Sequence, residues 1–353
     1  GPAAGDGEPM SRDLTYESYL QLERVLGAQG VTDPSGRPRE YGHRDELLFI
    51  VIHQVYELWF KQVLHELQHA RDVLAQGRVP EHHVPRAVKS LMRLHAIAKV
   101  MVQQRSVLET IHPVDFLAFR SQLGSASGFQ SAQFRKMEIL AGLPDDMRYA
   151  YQGESFERRF GDDDVAAFDA MRGEPSLRDA LYRWLGRTPL EDGFVESYLE
   201  AFGRYVDSQR ELQRGNAQLS EEERNRVLAT LDEYEAGCRG WLTGEDAATR
   251  AACLFITAFR EEPLLHWPNR LLDALLEFEE LLRLWRFRHA RMVERMIGLR
   301  VGTGGSSGVT YLDKTAGSRY RIFTVILESR SFLVPRSLLP ELRDPGRYGF
   351  ARG

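Results

Sequence analysis

The stretch 45–76, DELLFIVIHQVYELWFKQVLHELQHARDVLAQ, decides the fold. It holds no glycine and no proline, and Gly77 ends it. A helix of that length spans about 45–50 Å at 1.5 Å per residue, enough to wall a whole domain. Asp45 and Glu46 put negative charge at the positive end of the helix dipole. The first half is apolar nearly all round, which calls for burial on several faces. A second long helix is predicted at 268–298. Shorter ones follow from the pattern at 84–109, 113–124, 128–142, 176–186, 196–214, 220–240 and 245–260. No Val/Ile/Thr alternation with Asn-Gly turns stands out, so strands are not expected. The reading is all-α: a large bundle-type domain over 13–353 with long central helices, preceded by a flexible tail at 1–12 (an expression remnant). Region 145–260 is helical with less specific signals. Segment 30–42 is Pro/Gly-rich and reads as a mobile loop.

Composition bounds the function. Across 353 residues, Lys plus Arg number 46 against 51 Asp plus Glu, for a net charge of −5. Nucleic acid and anionic membranes call for a basic surface, so neither is expected as partner. Two cysteines, Cys238 and Cys253, exclude a disulfide scaffold and a Cys-rich metal centre. The longest purely apolar run near the front, 47–52, is short of a membrane span, and no secretory signal stands out. A cytoplasmic setting is the expectation.

Several motifs invite chemistry. His65 and His69 satisfy His-Glu-x-x-His spacing, which places two imidazoles on one helical face for zinc. Asp72 stands where one extended form of that motif has glycine, and Arg71 and Asp72 mark a solvated end, so zinc hydrolysis is rejected. The loop 302–308, GTGGSSG, lacks the P-loop lysine and follows a helix, so nucleotide binding is weak. It can still offer backbone N–H groups and the hydroxyls of Thr303, Ser306 and Ser307. His53 shares a helical face with Phe49, Ile52, Tyr56 and Phe60, the setting of a satisfied core imidazole or of a functional one. His289 shares its face with Phe278, Leu282, Trp285, Met292, Val293 and Met296. An imidazole among such side chains suits a haem iron, and Arg286, Arg288, Arg291 and Arg295 nearby could meet propionates. Arg120, beside Phe116 and Phe119 and before a Gly/Ser loop, is a carboxylate clamp or a structural ion pair.

Taken together the blocks are more specific than any member. LTYESYLQLERVL (14–26), DELLFIVIHQVYELWFKQVLHEL (45–67), FLAFR…SASGFQSAQFR (116–135) and LWRFRHARMVERMIG…GTGGSSGV (284–309) resemble the tryptophan 2,3-dioxygenase family in order and spacing. The resemblance implies an all-α homotetramer holding haem b, which uses dioxygen to open the indole ring of L-tryptophan to N-formylkynurenine. By position, His289 resembles the proximal iron ligand, with Trp285 and Ser125 also at the cofactor. His53 resembles the distal histidine that accepts the indole N–H. Arg120 resembles the carboxylate clamp, Thr303 the hydroxyl at the amino-acid end, and Phe49 the aromatic against the indole. Tyr16, Tyr19 and Leu20 resemble residues that a neighbouring subunit adds to the pocket. Two departures stand out. The loop 125–128, SASG, has serine where the family typically has proline, and Val55 replaces the usual Thr or Ala. They keep open an alternative: a relative in secondary metabolism that adds one oxygen atom to tryptophan or a substituted tryptophan, giving an oxindole-type product.

Overall fold

The protein is described here by a computed structural model, over residues 14–33, 35–124, 126–145, 155–298, 300, 308–317 and 319–349. Helices α1 (Tyr16–Leu20) and α2 (Leu22–Leu26) open the described chain and bury no residue. The first long helix, α3, runs Asp45–Ala75 as predicted, and α4 covers Val84–Leu108 with a proline in its first turn, where the missing N–H costs nothing. Then come α5 (Pro113–Arg120), α6 (Ala132–Ala141), α7 (Asp162–Arg172), α8 (Leu177–Leu185), α9 (Phe194–Arg214), α10 (Glu221–Thr243) and α11 (Ala247–Ala258). The second long helix, α12 (His266–Ile297), is followed by α13 (Gly308–Thr315) and α14 (Thr324–Ser331).

The frame is a layered stack. α4 packs along both α3 and α12, α6 and α8 cover α3, α9 pairs with α10, and α13 lies on α12. Leu67, Leu74, Leu91, Leu94, Leu181 and Leu275 are fully buried where these helices meet. Each such leucine contributes roughly 1.5–3 kcal/mol of burial energy. One glycine is structurally required at the seam of α6 and α8. Gly142 ends α6 at φ +98°, and a Cβ there would come within 2.6 Å of Ser176 Oγ, the hydroxyl that caps α8.

The structure corrects several expectations. Segment 30–42 is an antiparallel ribbon, β1 (Val31–Thr32) paired with β2 (Pro38–Arg39), rather than a loose loop. Asp33 ties its turn by accepting hydrogen bonds from Ser35 N, Ser35 Oγ and Arg37 N at 2.6–3.0 Å. The ribbon is anchored to α3 by Arg39, whose guanidinium grips Glu46 at 2.5 Å. Glu46 is therefore a buried ion-pair partner, with Gly42 N donating to it as well, more than a dipole charge. The helix predicted at 113–124 ends at Arg120 and continues as a tight turn, Ser121–Leu123. The one predicted at 128–142 begins as the turn Gly128–Gln130. α1, α2, α7, α13 and α14 are not among the helices expected from the pattern. α3 is long and apolar enough to cross a membrane, with an 18-residue window of mean hydropathy 1.3, although no uninterrupted apolar run shows it. It packs against α4, α6 and α8, and its buried residues gather in the second half, while only 17% of the apolar window is buried.

Candidate active site

One cavity of about 290 Å³ opens between α3, α5, α6, α12 and α13. Two helices build it by the same spacing. On α3, Phe49, His53, Tyr56 and Phe60 line it; on α12, Trp285, His289, Met292 and Met296 do. Steps of four, three and four residues stack side chains on one helical face. The walls are joined by aromatic edges, with Trp285 6.1 Å from both Tyr56 and Phe60 and 5.2 Å from Phe134. Of the face-mates predicted for the two histidines, Ile52, Phe278 and Leu282 turn instead into the hydrophobic core.

His53 is fixed in one tautomer. Its Nδ1 lies 2.7 Å from the Phe49 carbonyl oxygen, which can only accept, so Nδ1 carries the hydrogen. Burial pushes its pKa down and keeps the ring neutral. Nε2 is then a hydrogen-bond acceptor. Phe49 packs against the ring at 4.1 Å and against Phe116 and Phe119 at 5.8 and 5.6 Å, and Phe119 is fully buried. Arg120, one residue on, lines the cavity from the end of α5.

His289 lies nearly parallel to Trp285, with ring centroids 5.2 Å apart and planes 13° apart. Burial pushes its pKa down to about 3, and Arg105 and His53 push the same way. It keeps some surface only because it faces the cavity. A neutral imidazole is the form that ligates a metal.

A buried ionic cluster closes the side of the cavity formed by α6. Glu138 accepts from Arg286 Nη2 at 2.7 Å and from Arg135 Nη1 at 3.0 Å. Arg286 also donates to the Thr315 carbonyl at 3.1 Å and stacks on Tyr320 at 4.7 Å. Of the four arginines considered for propionates, Arg286 is thus committed to Glu138. Arg291 pairs with Glu294 and Asp313, and Arg288 and Arg295 are exposed. Three donor atoms face this region without a carboxylate or carbonyl partner, the Trp285 indole Nε1 and both terminal nitrogens of Arg105, with the Tyr56 hydroxyl beside them.

The remaining predicted residues fall into two groups, those outside the described residues and those that do not line the cavity. Ser125 and Thr303 lie outside the described residues, as do Ser306 and Ser307. Tyr16, Tyr19 and Leu20 are 76%, 70% and 40% exposed on α1, and none lines the cavity. His65 and His69 are exposed, and Glu66 between them is buried under Arg93 at 2.6 Å, with Gln62 donating to it as well. Arg71, read as solvated, is in fact buried, bonding Asp72, Glu174 and the Pro175 carbonyl. Among the described residues no group of three His, Cys, Asp or Glu is placed to hold a metal.

Sequence reasoning missed Arg105, Glu138, Arg135, Tyr311 and the loop residues Ser127, Gly128 and Ser131, all of which line the cavity. Ser127 could have been found as a capping signal. Its hydroxyl accepts from Phe129 N at 3.3 Å, and Gln130 Oε1 accepts from Ser127 N at 3.0 Å.

The donor set fits a haem. The cavity is an aromatic slot, and a neutral imidazole faces it from α12. In class, this is a helical protein built around an imidazole-flanked apolar chamber. Residues 4–333 match the family described as Tryptophan 2,3-dioxygenase. Tryptophan 2,3-dioxygenase 2 of Ralstonia nicotianae is 42% identical, covering 96% of this chain and 98% of its own length. The tryptophan 2,3-dioxygenases of Sorangium cellulosum and Dictyostelium discoideum are 38% and 36% identical, covering 99% and 96% of this chain and 90% and 88% of their own. The chain belongs to the tryptophan 2,3-dioxygenase family.

Proposed function

We propose that this protein inserts dioxygen across the indole C2–C3 bond of L-tryptophan to give N-formylkynurenine, with haem b in the cavity between α3 and α12. The observation that carries the reading is the pairing of two neutral imidazoles in one aromatic chamber within a chain of this family. Haem, when bound, supplies the redox-active iron that makes dioxygen reactive toward indole.

The chain's own residues do the rest. His289 holds the iron through its imidazole, and Trp285, stacked on it, fixes the ring plane. His53 Nε2, left as acceptor by the Nδ1 bond to Phe49, receives the indole N–H and sets the substrate's orientation. Phe49 packs against the indole face. Arg120 binds the substrate carboxylate with its planar fork, and Thr303 meets the amino-acid end. Buried aromatic walls exclude water from the reacting carbons. A site built to pair a carboxylate rejects analogues that lack one.

Assembly completes the reading. Tyr16, Tyr19 and Leu20 are apolar groups exposed on α1, and Leu58, Met92 and Phe287 are exposed on the long helices. A homotetramer would cover such surface and bring α1 of one subunit to the chamber of another. The one-oxygen alternative gains no support, since the family and the relatives matched are dioxygenases.

The test is mass spectrometry of the product formed from L-tryptophan by haem-loaded protein under labelled dioxygen. Two labelled oxygen atoms in N-formylkynurenine are expected. A product with one labelled atom overturns the assignment.

A further inference from the structure

Most buried arginines of this protein answer to a carboxylate. Arg71 reaches Asp72 and Glu174, and Arg135 and Arg286 reach Glu138. Arg105 does not. It is 3% exposed in the last turn of α4, it lines the cavity, and neither Nη1 nor Nη2 has a carboxylate or carbonyl partner. Glu109, one turn further on, is within electrostatic reach without forming an ion pair, and Arg288 adds charge of the same sign. The Tyr56 hydroxyl beside it donates to the Met101 carbonyl, 2.8 Å away, and can offer the guanidinium only a neutral lone pair. The guanidinium lies over the Trp285 ring at 5.5 Å, and His289 stacks on that same ring at 5.2 Å. One indole therefore separates a permanent, unneutralised cation from the imidazole assigned to the iron. A guanidinium keeps its proton at any working pH, and an unpaired buried cation is costly to the fold.

We propose that Arg105 is a positioning charge: a fixed cation beside the His289 imidazole that favours the reduced state of the bound haem iron. The inference rests on the haem reading above. The oxidised iron centre carries one more positive charge than the reduced one, so a nearby cation destabilises the oxidised form. The indole face between them is polarisable and holds the guanidinium by cation–π attraction in place of a salt bridge. Across two ring contacts, in a medium of effective dielectric near 20, one unit charge changes the ratio of reduced to oxidised iron on the order of tenfold. The reduced form is the one that takes dioxygen, so Arg105 keeps the enzyme in its working state without touching substrate.

The experiment compares haem-loaded wild type with Arg105→Met and Arg105→Lys by spectroelectrochemistry, with thermal melting of the haem-free proteins alongside. Arg105→Met is expected to bind haem as wild type does. Its ratio of reduced to oxidised iron at fixed ambient potential should fall about tenfold, which is about 59 mV for a one-electron couple. Arg105→Lys keeps the charge and should stay within about twofold of wild type. Haem-free Arg105→Met should melt at a higher temperature, because an apolar chain replaces an unpaired cation. An unmoved potential in Arg105→Met overturns the inference alone. So does weaker haem binding at unchanged potential, which would make Arg105 a carboxylate anchor, and so does a lower melting temperature, the mark of a structural residue. Wild type that shows no haem absorption overturns this inference and the haem reading together.

Discussion

His53 and His65 stand on the same helix, twelve residues apart, and have opposite surroundings. Around His53 the neighbours are Phe49, Tyr56 and Phe60, its Nδ1 is tied to a backbone carbonyl, and its other nitrogen is free to meet a ligand. Around His65 the helix turns to solvent, and the glutamate that a zinc reading would make a base is neutralised by Arg93. The His65–His69 half carries the louder motif, and the His53 half lines the cavity. Residue type and spacing are shared by both halves; what separates them is desolvation together with a partner that sets the tautomer. His289 on α12 shares the desolvation, with burial that holds it neutral, and has a stacked indole in place of a hydrogen-bond partner.

That contrast can be broken most severely at α12. Replacing His289 with alanine should abolish haem retention and turnover together, measured as loss of the porphyrin absorption and of N-formylkynurenine formation. Acid should do the same to the wild type. The His289 pKa is depressed to about 3 in the folded protein against about 6.5 unfolded. The unfolded chain therefore binds the extra proton first, so the stability contributed by the neutral ring is present above pH 6.5 and is lost as pH falls from there toward 3. His53, depressed in the same direction, adds to this loss as pH falls below about 6.5. A pH titration of haem absorption and helical content should show release on the acid side and none on the alkaline side of neutrality.

Smaller effects sharpen the comparison. Arg120→Ala removes a charge-assisted contact of about 1.5–3 kcal/mol, so kcat/KM for L-tryptophan should fall roughly ten- to hundredfold, with most of the change in KM. His53→Ala removes a neutral hydrogen bond that orients the ring, and steady-state kinetics should show a fall of up to about tenfold without loss of haem. The same assay with 1-methyltryptophan, which has no ring N–H, should show almost no difference between His53→Ala and wild type. His65→Ala should change neither kinetics nor iron content, and stability by at most about 0.5 kcal/mol, by denaturant melt.

How much of this was legible follows from where each residue's partners lie. α3 could be read from composition alone because its signal is local, thirty residues without a breaker. His53 and His289 could be nominated because their faces follow helical spacing. Arg286 and Glu138 could not be read as a pair, since they meet across 148 positions and each looks like an ordinary surface charge in sequence. Arg71 was misread for the same reason: the chain that buries it arrives a hundred residues later, at Pro175. The ribbon at 31–39 was missed because strands of two residues carry no alternation, and its order comes from Asp33 and from the Arg39–Glu46 pair. Arg105 was invisible because nothing in a sequence marks a cation that lacks a partner. Family resemblance supplied the roles of Thr303, Ser125 and the α1 residues, and no local pattern would have done so.

The proposed chemistry depends above all on a bond between His289 and a haem iron. Resonance Raman spectroscopy of the reduced, haem-loaded protein tests it directly, using protein grown with nitrogen-15 histidine and the His289→Gly variant supplied with free imidazole. An iron–imidazole stretching band is expected that shifts with the labelled histidine, disappears in His289→Gly and returns with added imidazole. A band that survives in His289→Gly without imidazole, or none in the wild type, would contradict it.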